Sequence, residues 1–404
     1  MKTTGNFLFC TFLCVLFLAI SPAPAAGQWQ TMTVPVDGLT PVAADISGNT
    51  IAFTAAAGDP MNQSAPRVVC LYSITTGNLS RVAESVPPMS LTGAEISGKT
   101  LVWFEQPAWV PNVTGGPDRI LLASIPENTP QVIHTGDSAE WPKVSGNQVI
   151  WSADMKENEF IQGIYLYDMT TGSTALLPGV TVLDAAAIVF EGDTIAYQDG
   201  VSMDLVLYEI PTGNRTVVSK EVRTDASATN IDSFAFSGNN LLFITRTLGL
   251  EKDDRGETRA LFLYTLDNTT TRLISPVTGT FVTTLTTEEK DATFESPFTD
   301  GRRVGWVYFT GIGKSTIITL DPESGEVSML PVDSFVSFPS MDSSRIVFTR
   351  NEFGANNSLV LASENTGEVP ATQSPTPEGT PGFSLFIVLT ACAVVCIIPG
   401  IRRK

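Results

Sequence analysis

Apolar positions in this chain fall in short runs separated by turn residues, most clearly between Trp141 and Leu177. Val149-Ile150-Trp151, Ile164-Tyr165-Leu166-Tyr167 and Ala175-Leu176-Leu177 are rich in β-branched, aromatic and aliphatic side chains. Ser145-Gly146-Asn147 and Thr171-Gly172 stand between runs as tight-turn signals. The pattern predicts an up-and-down unit of four short strands, a to d. Such a unit cannot bury both faces alone and needs copies of itself beside it.

Those copies are present. The a–b turn recurs as Ser47-Gly48-Asn49, Ser97-Gly98-Lys99, Glu191-Gly192-Asp193, Ser237-Gly238-Asn239 and Asp300-Gly301-Arg302, each followed by an apolar triplet. In the last copy Asp342-Ser343-Ser344 puts serine where glycine is expected. The second half of the unit returns as Leu71 to Gly77, Leu166 to Gly172, Leu207 to Gly213, Leu263 to Thr269 and Ile318 to Gly325, with degenerate forms at Leu121 to Asn128 and Val360 to Gly367. Repeats about 40 to 60 residues apart, each of four strands, predict an all-β, seven-bladed β-propeller of antiparallel blades. The seventh unit runs out before a strand d. The β-prone segment Gln30 to Val36 is expected to fill that gap, so that an N-terminal strand closes the ring without a disulfide.

Five segments follow from the pattern. Residues 1–25 read as a signal peptide: Lys2, the apolar run Phe7 to Ile20, then small residues with Ala23 and Ala25 at the cleavage site. Residues 28–367 are the propeller. Residues 368–381 form a Pro/Thr-rich linker that cannot pack. Residues 382–401 are apolar enough for one membrane-spanning helix, and the basic end 402–404 keeps to the cytoplasmic side by the positive-inside rule. The propeller is then outside. Of five cysteines, four lie in the two apolar terminal segments, so Cys70 has no disulfide partner and is expected as a buried thiol.

Charge narrows the partners. The net charge is −18, with 42 acidic and 24 basic residues. That argues against nucleic acid and against docking on anionic lipid, both of which need basic patches. Six N-x-[ST] sequons, at Asn62, Asn78, Asn112, Asn214, Asn268 and Asn356, all fall in expected turns or loops and are candidate N-glycosylation sites.

In a four-stranded meander the a–b and c–d turns share one face and the b–c connections lie on the other. The a–b turns are short and uniform. The b–c connections are long and unlike one another: Thr54 to Arg67, Glu105 to Asp118, Ala153 to Gln162, Thr245 to Thr258 and Arg350 to Asn357. Variable loops on a rigid scaffold are where binding residues concentrate. The long-loop side is therefore the candidate binding face, with Trp109, Asp154, Glu157, Asp253 and Asp254 on it.

Candidate chemistry is sparse. His134 is the one histidine, and no nucleophile motif surrounds it. No zinc spacing, Walker loop or dinucleotide fingerprint occurs. The acidic run Glu251 to Glu257 lacks the register of a calcium loop and reads as a solvated loop, with calcium as the alternative. No catalytic residue and no other cofactor is expected. Asp45 and Glu95 occupy one position of strand a in adjacent units and approach the channel. Lys143 holds that position in the third unit, which reads as structural variation.

Two resemblances add to this. The C-terminal segment, with its Thr/Pro-rich spacer, Pro381-Gly382-Phe383, one hydrophobic span and a basic end, resembles the archaeal PGF-CTERM sorting signal. That resemblance implies an archaeal source and processing by an archaeosortase, which replaces the span with a lipid anchor. The repeats, with turns such as Asp300-Gly301 and strands such as Ile164 to Asp168, are similar to TolB-like propeller blades, although none keeps a complete Ser-Pro-Asp-Gly turn. This implies a fold and no function. The expected function is a surface-anchored, non-enzymatic binding or envelope-structural module for a protein or glycan partner. The alternative is an exported enzyme acting on polysaccharide through loop carboxylates.

Overall fold

The computed structural model describes residues 29–364 except 60–61, 63–64, 109–115, 137, 156–157, 183–187, 223–227, 249–256 and 352–356. The signal segment, the linker and the C-terminal span lie outside the described residues. No helix among the described residues is long and apolar enough to cross a membrane.

Seven antiparallel sheets follow one another along the chain. Their a strands are Thr40–Ser47, Met89–Ser97, Glu140–Ser145, Ile188–Glu191, Ala228–Ser237, Phe294–Thr299 and Phe335–Asp342. Each a strand touches the a strands of its two neighbours, and the last touches the first, so the seven form a closed inner ring. Closure happens as the pattern requires. Trp29–Thr33 pairs antiparallel with Ser358–Glu364 as the outer strand of blade 7, from Trp29 opposite Glu364 to Thr33 opposite Val360. Val34 extends the ladder by donating its N–H to the Leu359 carbonyl at 2.8 Å.

The core lies between blades. Strand b of every blade carries an aromatic ring as the last residue of the triplet that follows the turn: Phe53, Trp103, Trp151, Tyr197, Phe243, Trp306 and Phe348. All are at most 1% exposed. Each packs with aliphatic residues of an adjacent blade, as Trp103 does with Ala52 and Val69. Burial of one such ring is worth roughly 1.5–3 kcal/mol.

The short turns bind neighbouring blades together. At the shared position Gly48, Gly98, Gly146, Gly192, Gly238 and Gly301 have φ between 54° and 88°, and Ser343 takes the same left-handed conformation at 59°. The residue before the glycine reaches the next blade. The Gly98 N–H donates to Ser47 Oγ at 3.0 Å, the Gly192 N–H to Ser145 Oγ at 2.7 Å, and the Gly48 N–H to the Asp342 carboxylate. In six blades the turn's third residue, such as Asn49, accepts an N–H from the end of strand c, such as Ile74 at 2.9 Å. The a–b and c–d turns thus share one face.

Three details depart from the sequence reading. Blade 5 has a fifth short strand, Phe281–Val282, and the four-residue helix Thr287–Lys290 follows it. Strand pairing extends into the connections read as loops over Ala153 to Gln162 and Thr245 to Thr258. Strand b runs to Met155 and strand c starts at Asn158 in blade 3, and Leu248 pairs with Glu257 in blade 5. Their charged and amide residues, such as Asp154, Asn158, Gln162, Arg246 and Glu257, interrupt the apolar runs from which strands were read. Finally, the a strands of all blades but the fourth carry a register shift: at Val42, Gly93-Ala94, Trp141-Pro142, Asp232, Ser296-Pro297 and Phe338-Pro339. Bulges of this kind re-aim side chains.

Candidate functional site

Two polar clusters and one cleft lie along the inner strands. The first cluster sits near the short-turn end. One position of strand a faces the middle residue of each strand b triplet, and around the ring it reads Asp45, Glu95, Lys143, Val189, Ala235, Phe298 and Ser340. Four consecutive blades, 7 to 3, are polar there, and the other three are apolar. Asp45 accepts from the Ile96 N–H at 2.9 Å, the Ser340 hydroxyl at 2.6 Å and the Ile46 N–H at 2.9 Å. Glu95 pairs with Lys143. Enclosure in the ring pushes Asp45 up to about 7, with the neighbouring Glu95 carboxylate adding to the rise. The Ile96 and Ser340 donors and the Lys143 charge oppose it. Lys143, read as structural variation, sets its ammonium against one of two adjacent carboxylates. Ser340 holds the same place, three residues before the left-handed turn residue Ser343, and was passed over because its hydroxyl carries no charge.

The second cluster lies at the other end of the inner strands, in blades 5 and 6. Asp232, on its bulge, pairs with Arg246 and, at 3.5 Å, with Arg259. Arg259 also donates to the Phe294 carbonyl at 3.1 Å. Burial pushes Glu295 above the usual carboxylate range, with Arg259 opposing and Asp232 reinforcing the shift. Asp232 and Glu295 both stand six residues before the turn glycine of their blades, a shared acidic position that was not singled out from the sequence.

The cleft, of ≈ 390 Å³, opens between blades 1 and 2 on the long-loop side. Arg67, Thr54, Ser90, Thr92, Gln106 and Pro107 are among its walls. It sits at the lower end of the range for ligand pockets, about 300–1,000 Å³.

Of the residues singled out from sequence, Asp154 is the penultimate residue of strand b of blade 3, with Gln162 Nε2 at 3.5 Å from its carboxylate. It lies on the long-loop face but joins neither cluster. Trp109, Glu157, Asp253, Asp254, Asn112, Asn356, the calcium alternative at 251–256, the sorting tripeptide Pro381-Gly382-Phe383 and the cleavage residues Ala23 and Ala25 lie outside the described residues. Asn78, Asn214 and Asn268 are exposed on c–d turns of blades 1, 4 and 5, and Asn62 is exposed on the long-loop side. His134 stacks its ring over Trp151 and Tyr165, with centroids 5.0 and 6.2 Å away, and burial lowers its pKa. It packs blade 2 on blade 3. Cys70 is a free, buried thiol that burial pushes up to about 11. Among the described residues no group of three His, Cys, Asp or Glu side chains is placed to hold a metal.

Comparison with known proteins places the fold. No protein-family model matches the chain, and no curated protein matches it. Solved structures do. The β-propeller domain of the Trilobed protease from Pyrococcus furiosus, described as having an open velcro topology, aligns over 82% of this chain and 96% of its own. Its TM-score is 0.53 at 10% identity. An oligogalacturonate lyase in complex with manganese aligns over 85% and 95%, with TM-score 0.54 at 12% identity. TolB from Acinetobacter baumannii aligns over 72% and 66%, with TM-score 0.44 at 13% identity. At these identities the likeness concerns the propeller fold alone.

Proposed function

We propose that this chain is an extracytoplasmic propeller that binds a protein or glycan partner at the cell envelope through its long-loop face, without catalysing a reaction. One observation carries the reading. The short-turn face is stitched blade to blade through near-identical turns, whereas the opposite face offers connections that differ in every blade and a cleft between blades 1 and 2. A scaffold that is uniform on one face and varied on the other places recognition on the varied one. Sugar chains at Asn78, Asn214 and Asn268 would cover the opposite face and leave the cleft open. The one at Asn62 would stand on the binding side. In this reading the hydrophobic segment 382–401, or a lipid that replaces it after archaeosortase processing, holds the protein at the membrane.

Capture of partners from the native envelope tests the reading. The full-length chain is compared with one whose b–c connections in blades 1 and 2 are replaced by two-residue turns. Loss of a partner supports the reading, and unchanged capture refutes it. Mass spectrometry of the mature C-terminus tests the anchor, since an intact Arg402-Arg403-Lys404 end is incompatible with processing. The enzymatic alternative is tested separately on oligogalacturonate and neutral polysaccharides. Turnover abolished by Asp232→Asn or Glu295→Gln would replace binding with catalysis.

A further inference from the structure

We infer that the cleft between blades 1 and 2 is a binding site for a sugar acid, a hydroxylated ring bearing one carboxylate. The inference deepens the proposed long-loop binding face and rests on that reading. Its first support is the mixture of groups that the fold brings to one place. Arg67 opens strand c of blade 1, Thr54 is late in strand b of the same blade, Ser90 and Thr92 are early in strand a of blade 2, and Gln106 is the penultimate residue of its strand b. Four uncharged polar residues and one arginine along the same walls match a ligand with several hydroxyls and one anionic group. Pro107 and Val42 supply small apolar surfaces for the C–H face of a ring.

The second support is an unused hydrogen-bonding group. Thr54 is 1% exposed, and its Oγ1 has no hydrogen-bond partner among the described residues. A buried hydroxyl without a partner costs stability, and a ligand hydroxyl bonding to it on entering the cleft offsets that cost. The third is the setting of the cation. Arg67 is half-buried, and burial pulls its pKa below the usual arginine range. Its backbone is held by a reciprocal pair with Ser85: the Arg67 N–H donates to Ser85 Oγ, and the Ser85 N–H to the Arg67 carbonyl, each at 2.8 Å. The backbone from which the side chain springs is thus fixed at the cleft. A guanidinium carries five donors in a planar fork, so a protein contact still leaves donors for a bidentate carboxylate.

The chain's net charge of −18 does not prevent this. Exposed carboxylates more than about 8 Å away are largely screened at physiological salt. Glu105, next to Gln106, is neutralised by Arg119 at 3.3 Å.

The test is calorimetric titration of the purified full-length chain with methyl glucuronide, methyl glucoside and acetylglycine. The first two differ only in the carboxylate, and the third carries a carboxylate without a sugar. Saturable binding of the glucuronide is expected, with the other two weaker by about tenfold or more. Arg67→Gln is expected to weaken glucuronide binding by about tenfold or more, and Thr54→Val and Gln106→Ala by several-fold, each at an unchanged melting temperature. If Arg67→Gln lowers the melting temperature, Gln106→Ala decides, because its residue is next to last in a strand at the cleft rim. No glucuronide binding, equal binding of the glucoside, or equal binding of acetylglycine overturns the inference. If glucuronide fails while loop replacement still abolishes partner capture, the sugar-acid assignment falls and the long-loop reading stands. If loop replacement leaves capture intact, that broader reading falls.

Discussion

The two ends of the inner strands solve different problems. At the short-turn end the same turn occurs seven times, one residue of it held left-handed, and hydrogen bonds such as Gly98 to Ser47 join blade to blade. There the polar cluster of Asp45, Glu95, Lys143 and Ser340 is tied together across four blades. At the long-loop end the bulged strands carry Val42, Trp141, Asp232 and Phe338, which differ from blade to blade even where a following proline recurs, as at Pro142, Pro297 and Pro339. The difference teaches that repetition in this chain serves assembly, and that departure from repetition marks the surface free to specialise. Substitutions at the first end should change stability and spare binding. Those at the second should do the reverse.

The largest expected effect is on closure. Removing residues 29–34 strips the outer strand from blade 7 and exposes its edge ladder. With five paired residues and the buried Val34 lost, the cost is on the order of 5 kcal/mol, read as a lower midpoint in urea denaturation. Next comes Gly305→Ala. A Cβ there would lie 2.3 Å from Phe298 Cζ and 3.0 Å from the Ile318 carbonyl oxygen, with no flexible chain end to yield. Overpacking of this kind costs about 1–3 kcal/mol, and partner capture should persist.

Asp45 gives a pH test of the same end. Its folded pKa is raised from the ordinary 3.8 to about 7, so the folded chain holds a proton there that the unfolded chain releases. That contribution is fully present below about 4 and is lost as pH rises through 7. Each pKa unit corresponds to about 1.4 kcal/mol, so the full change amounts to a few kcal/mol. The melting temperature should fall between pH 5 and 8. Asp45→Asn should flatten the slope, and a slope unchanged in the variant would exclude Asp45 as its source. The smallest effect is Ser343→Gly. Serine at φ 59° is strained, and relief should stabilise the chain by about 0.5–1 kcal/mol, less the Ser343 hydroxyl's bond to Asp342 at 2.9 Å.

Most of the fold was legible because its assembly chemistry is local. Ser-Gly-Asn turns followed by triplets such as Val149-Ile150-Trp151 carry both the turn geometry and the buried ring in adjacent residues. Even closure could be read, since a blade lacking strand d implies a donor elsewhere. The candidate sites were less legible for a physical reason. Asp45, Glu95 and Lys143 stood in view at one repeat position, yet only the ring's curvature brings them into contact. Asp232 and Arg259 meet through a bulge and a hairpin extension, neither of which has an apolar pattern. The cleft draws on strands a, b and c of two blades, and no single stretch of sequence contains it.

The most direct measurement exchanges the two ends and reads both properties together. One chain has the b–c connections of blades 1 and 2 replaced by two-residue turns, and another has Ser47 and Ser145 replaced by alanine. Each is assayed for envelope partner capture and for melting temperature. The division of labour requires the first to lose capture at an unchanged melting temperature and the second to melt lower while keeping capture. Capture that survives loop replacement, or is lost only with the serines, contradicts it.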